Sequence, residues 1–595
     1  MKSGAGEQVM SARVQDGTEQ PLNWEQRLSV MLAKRRWLAG VVCCAVAAIA
    51  TLPLFVSGFP GGDDAIKHYR WSTEFVKALK DGSPYPRWFP EANRGAGSPL
   101  PIYYPPLPFY VAAVFNAAAG HMLTAISLSC WLALALSGLT MYGFGRLTLS
   151  RPMSLIAAVF YMLMPYHIVD LYLGSAISEF WSFAWVPLIF YFIYRVSDRD
   201  DWFAAGGLAL SYALLLQTHV PSAFLTSLSL PIFAISLTRD LRRLLRIAAG
   251  LALGAGISAI FVVPVLFERK YIQIGRVILR RAYRDYFLFE HSGSAFKSIL
   301  SSSNGANYSL QAELAALAVL ALLIVAGLLV LKKPREGGRF RLWRASLVVT
   351  AFSLFMTTRI AAPLYRLLPG LVFLLFPFRW LLVSSAGVSL LTAVVVSLLA
   401  RDTERRTLKV VALSLIAAFT LTVSGLAIAR APLKPATLER RLVRREAPEY
   451  HPVWWDGERH DELERASVVV DSGDAAVQIL DDRGINQGYH LNAQSESLLR
   501  LRPLFFPGWV ARADGRPIEI RPSSGGNIEV RMEPGEHQLT LSFEDTWPRT
   551  AGKLISAVCI AGLLVLLLVA HRKKGVAVYL YELNKGASLP DTHQE

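Results

Sequence analysis

The chain has 595 residues, 53% hydrophobic and only 18% charged, and its 61 Lys and Arg against 45 Asp and Glu give a formal net charge of +16. A soluble domain carries about 25% charged residues, and the mean hydropathy here is +0.36, so a water-soluble globule is excluded. The basic residues sit in short clusters between apolar segments rather than on one element, which excludes a nucleic-acid surface and fits charge that sets membrane topology.

Residues 1–36 are polar and end in Lys34-Arg35-Arg36. They are expected as a cytoplasmic tail and not a cleavable leader. A first span is expected over 37–56, followed by a loop at 57–121 that is far longer than a simple connection needs. This loop holds two adjacent acids, Asp63 and Asp64, then His68, Arg70, Arg87 and Arg94, and five prolines between Pro99 and Pro108 that rule out a regular helix there. The apolar stretch 107–119 is too short for a span, which takes about 20 residues. Laid along the outer interface, it leaves spans near 122–145, 152–169, 178–195, 203–217, 221–238, 245–266, 311–331, 344–358, 372–399 and 408–429. Every inner turn then carries Lys or Arg, for example Arg146 and Arg151, Arg242 and Arg243, or Lys332 and Lys333. Read as a span, 107–119 would put all of these outside, against the positive-inside tendency.

The outer loop 267–310 is basic against that trend. Arg276, Arg280 and Arg284 recur every four residues and would share one face of a helix. That face either rests on anionic headgroups or meets a lipid phosphate or pyrophosphate. From 430 to 550 the composition turns polar, with short runs at Ser467–Val470, Ala476–Leu480, Leu498–Leu501, Pro517–Ile520, Ile528–Met532 and Gln538–Phe543, separated by Gly-containing turns. These predict a β-sandwich-like domain. A last span is expected at 551–571, and 572–595 form a second cytoplasmic tail. Cys43, Cys44, Cys130 and Cys559 all lie in apolar stretches, so no disulfide framework supports the β-region. The fold class is therefore a polytopic α-helical membrane protein of about twelve spans, with an extracytoplasmic β-domain before the last one.

Under this topology Asp63, Asp64, His68, Arg70, Arg87, His167, Asp170, Glu179, His219 and Arg379 all fall at the outer leaflet. Ionisable groups at membrane depth are costly and usually face a cavity. Asp63 or Asp64 suits a base that takes a proton from an attacking hydroxyl, or a ligand for Mg2+ or Mn2+. The plainer alternative is a solvated helix start, where Asp is favoured. Glu179 is either a helix cap or a second functional acid. His219 is either a structural histidine or a substrate contact, and Arg379 either snorkels to the interface or holds a phosphate. Tyr103 and Tyr104 anchor the loop at the headgroups or stack on a sugar.

Asp63-Asp64 with His68 and Arg70, then Tyr85-Pro86-Arg87-Trp88, then Gly95, Gly97, Pro99 and Tyr104-Pro105-Pro106, resemble the first loop of large bacterial membrane proteins of the GT-C glycosyltransferase superfamily, near the YfhO-type proteins and those labelled 6-pyruvoyl-tetrahydropterin-synthase-related. Phe376-Pro377-Phe378-Arg379-Trp380 and Phe505-Phe506-Pro507-Gly508-Trp509 resemble their later aromatic-Arg motif and their C-terminal β-domain. Nothing in the residues points to pterin chemistry. The resemblance implies an inverting transferase in the bacterial cytoplasmic membrane, with both termini cytoplasmic. It would move a sugar from a polyprenyl-phosphate donor to a glycan, lipid or protein acceptor on the outer face. Asp63, Asp64 and Glu179 are then the catalytic candidates, and His68, Arg70, Arg87, His167, Asp170, His219 and Arg379 the substrate contacts. The implied partners are the lipid-linked sugar, its acceptor and membrane lipids, without nucleic acid. The cofactor stays open between none and Mg2+ or Mn2+ at Asp63 and Asp64, since the adjacent pair departs from a spaced Asp-x-Asp pattern. A lipid or glycan flippase or scaffold, and a transferase of a phosphate-bearing group, are the alternatives.

Overall fold

A computed structural model describes residues 24–35, 37–60, 63–199, 201–275, 283–289, 304–330, 337–401, 406–429, 431, 447–455, 463 and 466–586. Helices overlie every segment expected to span, from Leu38–Val56 to the last helix, Trp547–Gly586. Among the described residues seven helices are long and apolar enough to cross a membrane, or eight counting a bent pair as one. The remaining apolar helices are shorter, including Leu107–Ala119 and Trp202–Leu216. The basic face expected at Arg276 and Arg280 lies outside the described residues, as do the side chain of Asp63 and both chain ends.

Two expected spans are broken. Residues 151–174 run as Arg151–Met162, then Pro165–Val169, then a π-turn at Asp170–Gly174. Pro165 starts a new helical turn, since it has no N–H to continue the old one. The expected span at 245–266 is a pair of helices, Leu241–Ile257 and Ala259–Glu268, bent by 76°. Further along, inside the second helix, Pro264 leaves the Ile260 carbonyl without its usual i+4 donor. The Arg87 guanidinium supplies one instead, with Nη2 2.8 Å from that oxygen.

The long loop folds into the helix Asp63–Lys80, a short turn at Ala92–Gly95, one helical turn at Leu100–Tyr103 and the helix Leu107–Ala119. The prolines thus confine the helix starts, as the sequence implies. Gly97 has φ +83°, and a Cβ there would lie 2.2 Å from the Trp88 indole nitrogen, so only glycine fits.

Nine strands follow. β1 (Val468–Ser472), β4 (Ser497–Leu504), β8 (Asn527–Met532) and β7 (Ile520–Pro522) form one antiparallel sheet in that order. β2 (Ala475–Asp481), β3 (Asn486–Ala493), β9 (Gly535–Phe543), β5 (Trp509–Ala513) and β6 (Arg516–Ile518) form the other. Tyr489, Leu491, Leu539 and Leu541 of the second sheet share one core with Leu499, Leu501, Ile528 and Val530 of the first, so the two sheets pack face to face. Trp88, Ile102 and Tyr103 of the long loop enter that same core. Backbone joins them as well, Leu504 donating to the Ala96 carbonyl at 2.8 Å. Beneath, fully buried Arg549 at the start of the last helix pairs with Glu268 at 3.0 Å and donates to the Pro507 carbonyl at 2.7 Å. Loop, bent helix, last helix and β-domain are therefore one packed end of the bundle.

Candidate active site

The helix Asp63–Lys80 opens with the two acids, and its first turns aim one face at the bundle. Positions 64, 67 and 68 are i, i+3 and i+4 on that face. Asp64 Oδ1 lies 3.0 Å from Lys67 Nζ, with 39% of the Asp64 side chain exposed. Burial raises the Asp64 carboxyl, but Lys67, His68 and Arg379 together hold it below its usual range. His68 is buried, and desolvation lowers its imidazole to about 4. Its Nε2 is 3.5 Å from the Tyr104 hydroxyl.

Glu179, in the first turn of Ile177–Asp198, is 2% exposed at the side chain and has both oxygens engaged. Arg379 Nε donates to Oε2 at 2.8 Å and the Tyr166 hydroxyl to Oε1 at 2.6 Å. Arg379 also donates to the Leu374 carbonyl at 3.0 Å and lies over the Phe376 ring. The Phe-Pro-Phe-Arg-Trp run thus turns through a short 3-10 helix that presents Arg379 to Glu179 across 200 residues of sequence. His219 precedes Val220–Leu237, its Nδ1 2.8 Å from Ser222 Oγ, and it lies within electrostatic reach of Arg379 and His68. Asp170 is fully buried at the π-turn, within electrostatic reach of Glu179, Arg379 and Asp64.

The structure therefore brings Asp64, His68, Asp170, Glu179, His219 and Arg379 together and leaves three candidates elsewhere. His167 is core: its ring stacks on Phe183 at 3.8 Å and 6°, and Nδ1 faces the Tyr161 carbonyl. Arg87 caps the Ile260 carbonyl, with Glu268 and Arg549 as its charged surroundings. Arg70 interacts with Glu74 one turn further on. Lys67, Tyr166, Trp71 and Tyr450 belong to the site without having been singled out as chemistry in the sequence, and Trp71 and Tyr450 form an aromatic wall with Tyr104, which was. Trp71 and Tyr104 are 4.8 Å apart between centroids, and Tyr450 meets both at 6.3 and 6.4 Å. Lys67 was legible, one turn from Asp64. Tyr450 carries no local signal, since it arrives from the segment before the β-domain. Among the described residues no three of His, Cys, Asp and Glu converge as a metal would need.

A membrane bundle with a half-buried carboxylate facing a buried ion pair is the class that fold and site define. The chain belongs to the membrane-protein family described as the 6-pyruvoyl-tetrahydropterin synthase related domain, which matches residues 102–430. An uncharacterised protein of Lactococcus lactis subsp. cremoris is 24% identical over 242 residues, covering 39% of this chain and 39% of that one, so the match spans well under half of the relative. Among solved structures, the arabinofuranosyltransferase AftD from Mycobacteria is similar over 67% of this chain and 27% of its own, at 16% identity and a TM-score of 0.41. The archaeal oligosaccharyltransferase AglB from Archaeoglobus fulgidus, in complex with an inhibitory peptide and a dolichol-phosphate, is similar over 71% and 62%, at 13% identity and a TM-score of 0.42. ArnT from Cupriavidus metallidurans bound to undecaprenyl phosphate aligns over 73% and 96%, at 14% identity and a TM-score of 0.28.

Proposed function

We propose that the protein is an integral-membrane glycosyltransferase of the GT-C kind, which moves a sugar from a polyprenyl-phosphate donor to an acceptor hydroxyl on the outer face of the cytoplasmic membrane. The observation that carries this reading is the Asp64 carboxylate. It is ionised, partly exposed, and set beside a buried polar cluster at the packed end of a membrane bundle. The positive-inside pattern of the turns supports placing that end outside, and the first-loop motifs support the superfamily.

In this mechanism Asp64 accepts the proton of the acceptor hydroxyl as its oxygen attacks the anomeric carbon. The bond from that carbon to the phosphate oxygen breaks, polyprenyl phosphate leaves with the electron pair, and the anomeric configuration inverts. Lys67 keeps Asp64 charged and oriented. His68, uncharged at neutral pH, holds Tyr104 without competing for the proton. Glu179, with a hydrogen bond to each oxygen, acts as the positioning partner of Arg379, whose positive charge offsets that of the leaving phosphate. The aromatic wall of Trp71, Tyr104 and Tyr450 offers a surface for a sugar ring. The β-domain, which shares a core with the loop, fixes that loop against the bundle.

The test is mass spectrometry of lipid and envelope glycans in a deletion strain complemented with wild type or Asp64→Asn. Wild type restores a glycosidic product and the variant, expressed normally, does not. Lipid-linked sugar that changes leaflet with no new glycosidic bond, equally in both, points instead to a flippase.

A further inference from the structure

We propose that Asp170, with Ser175 beside it, receives the hydrogen-bond donors of the transferred sugar: its hydroxyls or an amino substituent. This rests on the transferase reading above and assigns the donor's sugar subsite within it. The site holds three described acids, and two have partners supplied by the protein. Asp64 has Lys67, and Glu179 has Arg379 and Tyr166. Asp170 has none: it is fully buried, and neither carboxylate oxygen has a hydrogen-bond partner among the described residues. The Ser175 hydroxyl, also fully buried, is unpartnered in the same way. Burying a carboxylate without a partner is costly, so it persists where something other than the fold completes it.

The backbone is shaped around this group. Asp170 opens a π-turn, a form frequently found at functional sites. Ser175 closes it at φ +52°, a conformation unfavourable for a residue with a Cβ. The Ala176 N–H donates to the Asp170 carbonyl at 3.1 Å, which fixes the turn and leaves the side chain for another use. Asp64, Glu179 and Arg379 all act on Asp170 electrostatically, so it belongs to the reacting end of the bundle.

Two unpartnered carboxyl oxygens offer hydrogen-bond acceptors, and the complement to them donates. Sugar hydroxyls and an ammonium group donate, whereas a phosphate does not. A divalent cation would need several further oxygen ligands, and no third His, Cys, Asp or Glu converges there among the described residues. With Arg379 already committed to Glu179, the ligand itself is the source of the complement.

The experiment uses the full-length protein in detergent. Its probe is the lipid extract of the deletion strain, in which the unused lipid-linked donor accumulates. Asp170→Asn keeps the size and shape of the buried group and is expected to leave the Tm of the ligand-free protein near that of the wild type. It should also raise KM for donor at least about tenfold, the scale of one good hydrogen bond to a charged group, while KM for acceptor stays unchanged. The Tm increase that the extract gives the wild type should vanish in Asp170→Asn and shrink in Ser175→Ala. The mass of the transferred residue separates an amino sugar from a neutral one. A lower Tm with donor KM unchanged would make Asp170 structural and overturn the proposal. So would a wild-type Tm that drops with EDTA and returns with Mn2+. If the extract shifts Tm in an Asp170-dependent way but wild type transfers nothing, the transferase reading fails while the binding site stands.

Discussion

Asp64 and Glu179 are both acids in the first turn of a helix, and both face Arg379. Their surroundings separate them. Glu179 is buried to 2%, and its two oxygens are saturated by Arg379 and Tyr166. Asp64 keeps 39% of its side chain exposed and, among the described residues, has one hydrogen-bond partner, a lysine on its own helix. A saturated carboxylate holds structure, whereas one with free lone pairs and solvent access can take up a proton. The helix start that suggested a cap for both is therefore a poor guide to role. What each oxygen touches is a better one.

Replacing the two acids should break that comparison open. Asp64→Asn keeps the shape and removes the base, so transfer should fall by about 10²–10⁴-fold with normal expression and unchanged donor KM. Asp63→Asn is its control on the same turn. If Asp63→Asn abolishes transfer and Asp64→Asn leaves it intact, the roles of the two neighbours are exchanged.

Glu179→Gln acts differently, because it strands Arg379 in a buried setting. Breaking one half of such a pair costs about 3–5 kcal/mol, to be read as a lowered Tm and reduced yield before any kinetic effect. Glu179→Gln combined with Arg379→Gln removes both charges and should recover part of the Tm without recovering transfer. A double variant no more stable than either single one would show that the pair does not act as a unit.

A smaller effect is expected away from the site. Arg87→Leu leaves the Ile260 carbonyl, already deprived of its donor by Pro264, with no partner. An unsatisfied buried acceptor costs about 1–3 kcal/mol. The variant should therefore lose thermal stability while KM for donor and acceptor stays near wild type. A selective rise in donor KM would return Arg87 to the substrate.

These contrasts also mark what the sequence could convey. Apolar length fixed where the helices lie, and alternating Val, Ile and Leu fixed most strands. β3 and β5 escaped notice because their buried residues, such as Tyr489, Leu491 and Trp509, alternate with polar or small ones and Gly488 interrupts the run. The acids were visible as costly residues at membrane ends. Their roles were not, because Tyr166 and Arg379 reach Glu179 from 13 and 200 positions away. Likewise His167 and Arg87 look like site residues in one dimension. Only packing shows that one stacks on Phe183 and the other answers a proline.

The faintest signal, and the one that best sharpens the contrast between neighbours on a single turn, is the pH response of His68. Its imidazole titrates near pH 6.5 in the unfolded chain but only at about 4 in the folded one, because burial disfavours its charge. Between those values the unfolded chain binds the extra proton, so stability falls as pH drops from about 6.5 to about 4 and is unaffected by this group above that range. Asp64 works in a different window. Its carboxyl is lowered in the folded protein, so the stability it contributes is complete above the ordinary carboxylate value and is lost only in stronger acid. His68→Gln should therefore flatten the dependence of Tm on pH between about 4.5 and 7, measured on the full-length protein, and leave the steeper loss below pH 4 in place. Transfer by the wild type should show no acid limb from Asp64 across the same range. An unchanged Tm slope in His68→Gln would mean that the imidazole titrates in the folded protein as it does in the unfolded chain, so that below about pH 6.5 a charged His68 would compete with Lys67 for the base.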